Sequence, residues 1–182
     1  MGRDDRIPLT PVAQYQRQQR RQQSHCSALW ALLDQVKDPE IPVISLWDLG
    51  ILTDVQQQGK DVIVTITPTY SGCPAMDAVR EDIITVLQAN GFSSITITTQ
   101  LSPSWTTDWI STLGREQLRE FGIAPPAAGQ RPCCPHCSSV QVTLVSHFGS
   151  TACKALYQCR DCGEPFDSVS YTHLTLPTKR IV

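Results

Sequence analysis

The sequence has little net charge and no long hydrophobic run. Its 182 residues include 15 Lys or Arg and 17 Asp or Glu, which gives a formal net charge of −2 at pH 7. Such a balance supplies no overall electrostatic attraction for nucleic acid or for an anionic membrane. The densest apolar stretch, residues 28–33, is far shorter than the roughly 20 residues of a membrane span. We therefore expect neither nucleic acid nor a membrane as a partner.

Cysteine is scarce, and a secretion signal is missing from the start of the sequence. Eight cysteines amount to about 4 per cent of the chain, below the roughly 8 to 10 per cent of disulfide-stapled scaffolds. The charged residues 1–8 are not followed by the apolar segment of a secretory signal peptide. The sequence thus predicts a cytoplasmic protein, in which thiols stay reduced and cysteines serve as metal ligands or reactive groups.

The positions of the cysteines divide the chain into two parts. Six of the eight lie between Cys133 and Cys162, and the segment 124–132 before them is rich in Pro, Ala and Gly without an apolar period. This composition is typical of a linker between domains. We therefore predict one domain at 24–123 and a cysteine-rich module at 133–167.

Hydrophobic periodicity predicts the architecture of the first part. Residues 14–23 are Gln and Arg with almost no apolar side chains, which predicts a disordered N-terminal segment at 1–23. Within 24–123, apolar residues recur at helical or alternating spacing and predict a two-layer α+β fold in the order αββαβα. The predicted helices span 28–36, 75–89 and the later part of 105–121, and the predicted strands span 51–55, 62–67 and 95–101.

Two Cys-x-x-Cys pairs, 21 residues apart, form a pattern typical of a metal site. Each pair directs two thiolates toward one point, and residues 140–146 and 155–158 can pair as a hairpin between them. A closed tetrahedral site of this kind predicts structural Zn²⁺ in a zinc ribbon. An iron centre with the same four thiolates and a redox dithiol are the alternatives. The predicted ligands are Cys134, Cys137, Cys159 and Cys162.

Three further cysteines have no fixed role in the sequence. Cys133 is adjacent to a predicted ligand and could replace it in another register, and Cys26 has no assigned role. Cys153 is either a buried residue of the hairpin or an exposed thiol that serves cluster transfer or partner contact. His136 lies between two predicted ligands and is not itself predicted to bind metal.

One isolated cysteine, Cys73, precedes a predicted helix. Pro74 pre-sets the backbone for a first helical turn, which places Cys73 near the helix N-cap. The positive end of the helix dipole there would lower the thiol pKa and favour a nucleophile or a metal ligand. The alternative is a small buried residue. No histidine of the sequence lies in a recognisable nucleophile motif, so we do not predict an enzyme with its own catalytic site.

Several strings of residues resemble a known family. Residues 38–43 (DPEIPV), 48–50 (DLG) and 67–74 (TPTYSGCP) resemble the iron-sulfur assembly (metal-sulfur cluster biosynthesis) domain family, over about 24–123. The strings at 105–109, 115–126 and 148–157 are similar to the D-subunit (also called J) family of phenylacetyl-CoA epoxidase systems, in which a zinc ribbon follows that domain.

The resemblance implies a non-catalytic accessory subunit in aerobic phenylacetate degradation. Such a protein is thought to assist assembly of iron or iron-sulfur centres for a multicomponent di-iron oxygenase, with the oxygenase and reductase subunits as partners. Cys73 falls on the family's reactive cysteine, which would hold iron or a cluster transiently, alone or across a homodimer. A stable structural subunit of the oxygenase complex is the alternative.

Three acidic residues accompany Cys73 in the resemblance. Asp38, Glu40 and Asp48 fall on the acidic motif positions of the family. From the residues alone, these carboxylates could flank a site around Cys73, or Asp38 and Asp48 could brace turns through backbone hydrogen bonds.

The C-terminal residues depart from the family pattern. The family continues with a short aromatic tail that ends near a cysteine, whereas the string after Asp167 resembles the translation of a transposase sequencing adapter. We therefore expect residues 168–182 to be non-native.

Overall fold

The computed structural model describes residues 11–126 and 131–169, and its strands form two separate three-stranded sheets. The first sheet belongs to an N-terminal domain, residues 12–123, and the second forms a ribbon, residues 131–169. This mixture of helices and strands confirms the predicted α+β class. In the described part of the chain, no helix is long and apolar enough to cross a membrane.

The N-terminal domain contains the predicted elements and two further helices. Helices α1 to α5 span Val12–Gln23, Ser27–Leu33, Leu46–Leu49, Met76–Ala89 and Thr112–Glu120, and a 3₁₀ turn spans Thr107–Trp109. Strands β1 to β3 span Leu52–Gln58, Asp61–Ile66 and Ser94–Thr99. The order αββαβα predicted from periodicity is present, and α1 and the one-turn helix α3 are added to it.

The central strand β2 determines how the helices cover the sheet. It pairs antiparallel with β1 and parallel with β3. A parallel pair needs a crossover connection, which α4 provides before it ends at Asn90 and Gly91. Gly91 has a φ of 88°, the left-handed conformation that commonly terminates a helix. The fully buried side chains that β2 and α4 contribute to the core are Val62, Val64, Ile66, Val79, Ile83 and Leu87.

The N-terminal segment contains a docked helix, so the prediction of disorder is wrong for residues 12–23. Residues 1–10 lie outside the described part of the chain. The composition was misleading because an arginine, and not an apolar stripe, anchors α1. Arg17 is 3% exposed and donates hydrogen bonds to the backbone carbonyl oxygens of Trp47, Leu52 and Trp109.

Stacking reinforces these hydrogen bonds. The Arg17 guanidinium carbon lies 4.2 Å from the ring centroid of Trp47 and 5.7 Å from that of Trp109, which are cation–π contacts. Arg21 forms a bidentate ion pair with Asp34, at 2.9 and 2.5 Å. Burial lowers the pKa of Arg17 to about 9, so the side chain remains a cation at neutral pH. Arg17 and Arg21 of α1 therefore serve internal packing.

Replacement of Arg17 by Ala is expected to destabilise the N-terminal domain by about 2 kcal/mol, because buried carbonyl oxygens lose a charged donor. Arg20→Ala is the matched control, since Arg20 lies on the same helix and is exposed. The measurement is the free energy of unfolding from urea titration. Equal stability of the two variants would contradict the anchoring role of Arg17.

The ribbon is a three-stranded antiparallel sheet. Its strands β4, β5 and β6 span Val142–Ser146, Lys154–Cys159 and Pro165–Val169. The pairing of β4 with β5 confirms the predicted hairpin, whereas β6 was not predicted. The rings of Tyr157 and Phe166 stack across β5 and β6, with centroids 5.9 Å apart.

Two predicted boundaries of the ribbon are wrong. Ala124, assigned to the linker 124–132, is fully buried and forms a parallel bridge with Ser168. Ser168 and Val169, expected to be non-native, complete β6, and Val169 is 3% exposed in the core of the N-terminal domain. Residues 170–182 lie outside the described part of the chain. The ribbon is therefore joined to the domain by backbone pairing and by a shared core residue.

Candidate functional site

The four predicted ligand cysteines of the ribbon converge on one point. Their sulfur atoms all lie within 4.8 Å of one another. The Cys134 and Cys162 sulfurs are 3.7 Å apart, and those of Cys137 and Cys159 are 3.5 Å apart. Four sulfurs placed about 2.3 Å from one ion at tetrahedral corners would be about 3.8 Å apart. The donor set and its spacing therefore fit a metal ion with four thiolate ligands.

Local backbone geometry favours the thiolate at one of these cysteines, Cys159. Backbone N–H groups of Cys162 and Asp161 donate to the Cys159 sulfur and lower the pKa of Cys159 to about 7. Such N–H···S bonds favour the thiolate, which is the form that binds metal. His136 is exposed and is not part of the four-residue group, and neither is the exposed Cys133.

Cys73 lies in a turn at the wall of a small cavity. Its backbone N–H donates to the Tyr70 carbonyl oxygen at 3.2 Å, and its half-buried side chain faces a cavity shared with Asp38 and Glu40. The cavity has a volume of about 10 Å³. The structure thus brings Cys73 together with two of the three predicted carboxylates.

The prediction of a lowered Cys73 pKa is wrong. Helix α4 begins at Met76 with Ala75 as its N-cap, so Cys73 precedes the first helical turn. Burial raises the pKa of Cys73, and the Glu40 and Asp38 carboxylates raise it further, against hydrogen bonds from the Ala75 backbone N–H and the Tyr70 side chain. Cys73 is therefore a neutral thiol at pH 7, and it would become a thiolate when a cation displaces its proton.

Asp38 combines the two roles that the sequence left open. It is 6% exposed, and its Oδ1 accepts hydrogen bonds from the backbone N–H groups of Glu40 and Ile41, so it braces the turn. The same side chain lines the Cys73 cavity. Burial raises the pKa of Asp38, and the neighbouring Glu40 adds to this effect.

Asp48 lies away from the Cys73 cavity. Its Oδ1 and Oδ2 each accept a hydrogen bond at 2.6 Å, from the hydroxyls of Ser111 and Ser45 respectively. Ser45 also caps α3 by accepting from the Asp48 backbone N–H. In this structure Asp48 connects α3 to the start of α5, so its part in a site stays a prediction of the resemblance.

The sequence did not place two neighbours of Cys73 beside it: Cys153, which lines the same cavity, and Tyr70, which contacts Cys73 outside the cavity lining. Cys153, in the turn before β5, lines the same cavity as Cys73, and its sulfur lies 3.6 Å from Glu40 Oε2. No spacing in the sequence could have joined residues 80 positions apart in different domains. Tyr70 could have been found from its position three residues before Cys73, where a turn brings the two side chains together.

Comparisons with known proteins agree with the division into two parts. The iron-sulfur cluster assembly protein family matches residues 27–91, and the family described as "PaaD zinc beta ribbon domain" matches residues 124–170. An Escherichia coli K12 protein, named as the D subunit of a "Putative 1,2-phenylacetyl-CoA epoxidase", is 49% identical over 146 residues, which cover 76% of this chain and 88% of that protein. The chain belongs to this D-subunit family. The family suggested by the sequence strings is confirmed.

Further relatives match the N-terminal domain. The Porphyromonas gingivalis W83 protein named "Fe-S protein maturation auxiliary factor" is 36% identical over 95 residues, which cover 50% of this chain and 86% of that protein. The crystal structure of a domain of unknown function, DUF59, from Bacillus anthracis is 27% identical and superposes with a TM-score of 0.48, covering 50% of this chain and 89% of that one.

Proposed function

We propose that this member of the D-subunit family is an accessory maturation factor that helps to assemble an iron or iron-sulfur centre of the phenylacetyl-CoA epoxidase system. The carrying observation is the Cys73 thiol, which faces an atom-sized cavity beside Asp38 and Glu40. The cavity is too small for an organic substrate, since ligand pockets measure roughly 300–1,000 Å³. The P. gingivalis relative, named as a maturation factor, supports this role for the N-terminal domain.

In this function, Cys73 holds iron only transiently, and the atom-sized cavity beside it has room for one ion. A thiol with a raised pKa stays protonated until a cation approaches, so the site gives up its cargo readily when the proton returns. The chain has no catalytic step of its own to perform. The iron is cargo, and its destination is an oxygenase or reductase subunit.

The ribbon has a separate, structural part in the proposal. Its metal is Zn²⁺ in this proposal, which the match of residues 124–170 to a zinc beta ribbon family supports. Four thiolates form a closed tetrahedral set that leaves no position for chemistry. Exposed apolar side chains on the ribbon offer a docking surface for client subunits. They are Val140, Val145 and Phe148, which are 59%, 57% and 53% exposed.

Replacement of Cys73 by Ser tests the maturation role. Co-expressed with the epoxidase subunits, Cys73→Ser is expected to lower the iron content and activity of the client by about tenfold, the scale of a lost metal-site contact. Cys26→Ser is the matched control, since Cys26 is also a free, half-buried cysteine of the N-terminal domain. Client iron that is the same with either variant would refute the proposal.

A stable structural subunit is the second candidate function. The E. coli relative is named as a subunit, and the exposed apolar residues of the ribbon are suited to a lasting interface. Co-purification through size-exclusion chromatography distinguishes the two functions. A maturation factor dissociates from the loaded client, whereas a structural subunit stays with it in fixed ratio.

A further inference from the structure

Two cysteines from different parts of the chain line one cavity. Cys73 belongs to the turn before α4, and Cys153 to the turn before β5 of the ribbon. Both border the same small space, together with Glu40. The Cys153 sulfur is 3.6 Å from Glu40 Oε2 and 3.1 Å from the Thr151 hydroxyl. The ribbon therefore adds a second thiol to the site that the N-terminal domain provides.

The size and lining of the cavity favour a single ion. The cavity volume of about 10 Å³ is room for one atom-sized occupant. Apart from Thr69 and the ionisable groups, the lining is apolar, and a thiolate or carboxylate in such surroundings gains strongly from a cation. The apolar lining residues are Ile41, Leu49, Ile51, Ala75, Met76, Val79 and Val169.

We propose that Cys73, Cys153 and Glu40 together form a receptor for one thiophilic divalent metal ion, delivered as Fe²⁺. This inference rests on the proposed function, because it takes Cys73 to be the residue that holds the cargo. Two thiolates and one carboxylate suit a transition metal, whereas Mg²⁺ and Ca²⁺ prefer oxygen ligands alone. Three protein ligands leave a fourth position open, through which a client ligand can take the ion.

The receptor closes around the ion by side-chain rotation. Within the described residues, only the ribbon cysteines already bring three or more ligand atoms to within 4.8 Å of one another. Cys73 and Cys153 are both half-buried residues in turns, so their side chains are not locked in a helix or strand. An open receptor that needs this movement binds more weakly than the preformed Cys₄ site, as suits a transient cargo.

Binding releases two protons and changes no oxidation state. Burial raises the pKa of Cys153 to about 11, and the pKa of Cys73 is likewise raised by burial, so both thiols are neutral at pH 7. The ion forms two metal–sulfur bonds, two S–H bonds break, and both protons leave to solvent. Burial also raises the pKa of Tyr70, to about 12, so its phenol stays neutral. The charged side chains around the thiols are Asp38, Glu40, Lys154 and, beyond Lys154, Asp167.

Co²⁺ is the probe for this receptor. The full chain, purified without oxygen, is first loaded with one Zn²⁺ per chain, which the ribbon retains because Zn²⁺ binds thiolates more tightly than Co²⁺. Added Co²⁺ is then followed through its thiolate charge-transfer absorption. We expect one further Co²⁺ per chain, with affinity at least about tenfold lower in Cys73→Ser and in Cys153→Ser and unchanged in Cys26→Ser. Unchanged Zn²⁺ content and unfolding midpoint establish that the variants fold.

Different outcomes separate this inference from the proposed function. If Cys153→Ser binds Co²⁺ like wild type while Cys73→Ser does not, the two-thiol receptor is wrong and the role of Cys73 stands. If wild type binds no second Co²⁺, the receptor is wrong, and client iron content still decides the maturation role. Loss in both variants together with unchanged client iron would support the receptor and refute the proposed function.

The pH dependence gives an independent count of thiols. Since a rise in pH removes the protons that compete with metal, two neutral thiols require the apparent affinity to increase about 100-fold per pH unit below the thiol pKa values. A single neutral thiol would increase the apparent affinity only about tenfold per pH unit. We expect the steeper dependence between pH 6.5 and about 7.5 for wild type. A tenfold dependence in wild type would overturn the two-thiol receptor.

Discussion

A chelator that removes metal from the four ribbon cysteines is expected to unfold β4, β5 and β6 while the N-terminal domain stays folded. The ribbon has only a small core of its own, which consists of Ala124, Cys134, Val142, Cys159 and Phe166. Two of these five residues belong to the group of four converging thiols, so a bound ion would lie at the centre of that core. Binding free energies of structural Zn²⁺ are on the order of 10 kcal/mol or more, which exceeds the stability of most small domains.

Hydrogen exchange followed by mass spectrometry measures this effect separately in each part of the chain. With chelator, peptides from residues 131–169 should lose protection, whereas peptides that contain β2 should keep it. Cys159→Ser should reproduce the loss without chelator, because Cys159 is a buried ligand. Cys133→Ser, next to a ligand but exposed and outside the group, is the matched control. If peptides from the ribbon stay protected from hydrogen exchange without metal, the small hydrophobic core alone keeps the ribbon folded, and the prediction is wrong.

Replacement of Gly50 by Ala is expected to cost about 3 kcal/mol of domain stability. Gly50 ends α3 with a φ of 91°, which strains any residue that carries a Cβ. A Cβ at this position would also lie 2.8 Å from the Trp109 Cβ and 3.0 Å from Trp105 Nε1. Trp105 Nε1 donates to the Leu49 carbonyl oxygen, so the clash would disturb a buried hydrogen bond as well.

The Gly59→Ala variant separates the cost of backbone strain from the cost of a steric clash. Gly59 has a φ of 63° in the β1–β2 turn, and an added Cβ there meets no atom within 4 Å. Its cost should therefore be about 1 kcal/mol, from the backbone conformation alone. The free energies of unfolding of the two variants are compared by urea titration. Equal losses would mean that the tryptophans move aside and that the close packing at Gly50 carries little energy.

Local patterns in the sequence predicted the secondary structure of the N-terminal domain well. The alternation of residues 95–101 corresponds to β3, and the helix predicted at 75–89 corresponds to α4. The two Cys-x-x-Cys pairs likewise predicted which four thiols converge, because each pair is a short turn whose geometry depends little on distant residues.

Features that depend on contacts between distant residues could not be predicted in this way. Helix α1 has no apolar stripe that periodicity could detect. It is anchored instead by Arg17, which donates hydrogen bonds to carbonyl oxygens of residues 30 to 92 positions away in the sequence. The raised pKa of Cys73 follows from burial and from carboxylates in another loop, whereas the sequence showed only the nearby helix. Cys153 joins the cavity because the ribbon packs on the N-terminal domain. Strand β6 was missed because the string after Asp167 resembles a non-native tail.

The tryptophans provide a separate optical signal for one part of the protein. All four, Trp30, Trp47, Trp105 and Trp109, are at most 8% exposed and belong to the N-terminal domain. Arg17 lies over two of these rings, and the ring centroids of Trp30 and Trp47 are 5.1 Å apart. Tryptophan fluorescence therefore reports the folding of the N-terminal domain alone. Co²⁺ loaded into the ribbon cysteines in place of Zn²⁺ would report the ribbon through its thiolate absorption. A single sample can then be followed at two wavelengths to establish whether the two parts unfold together.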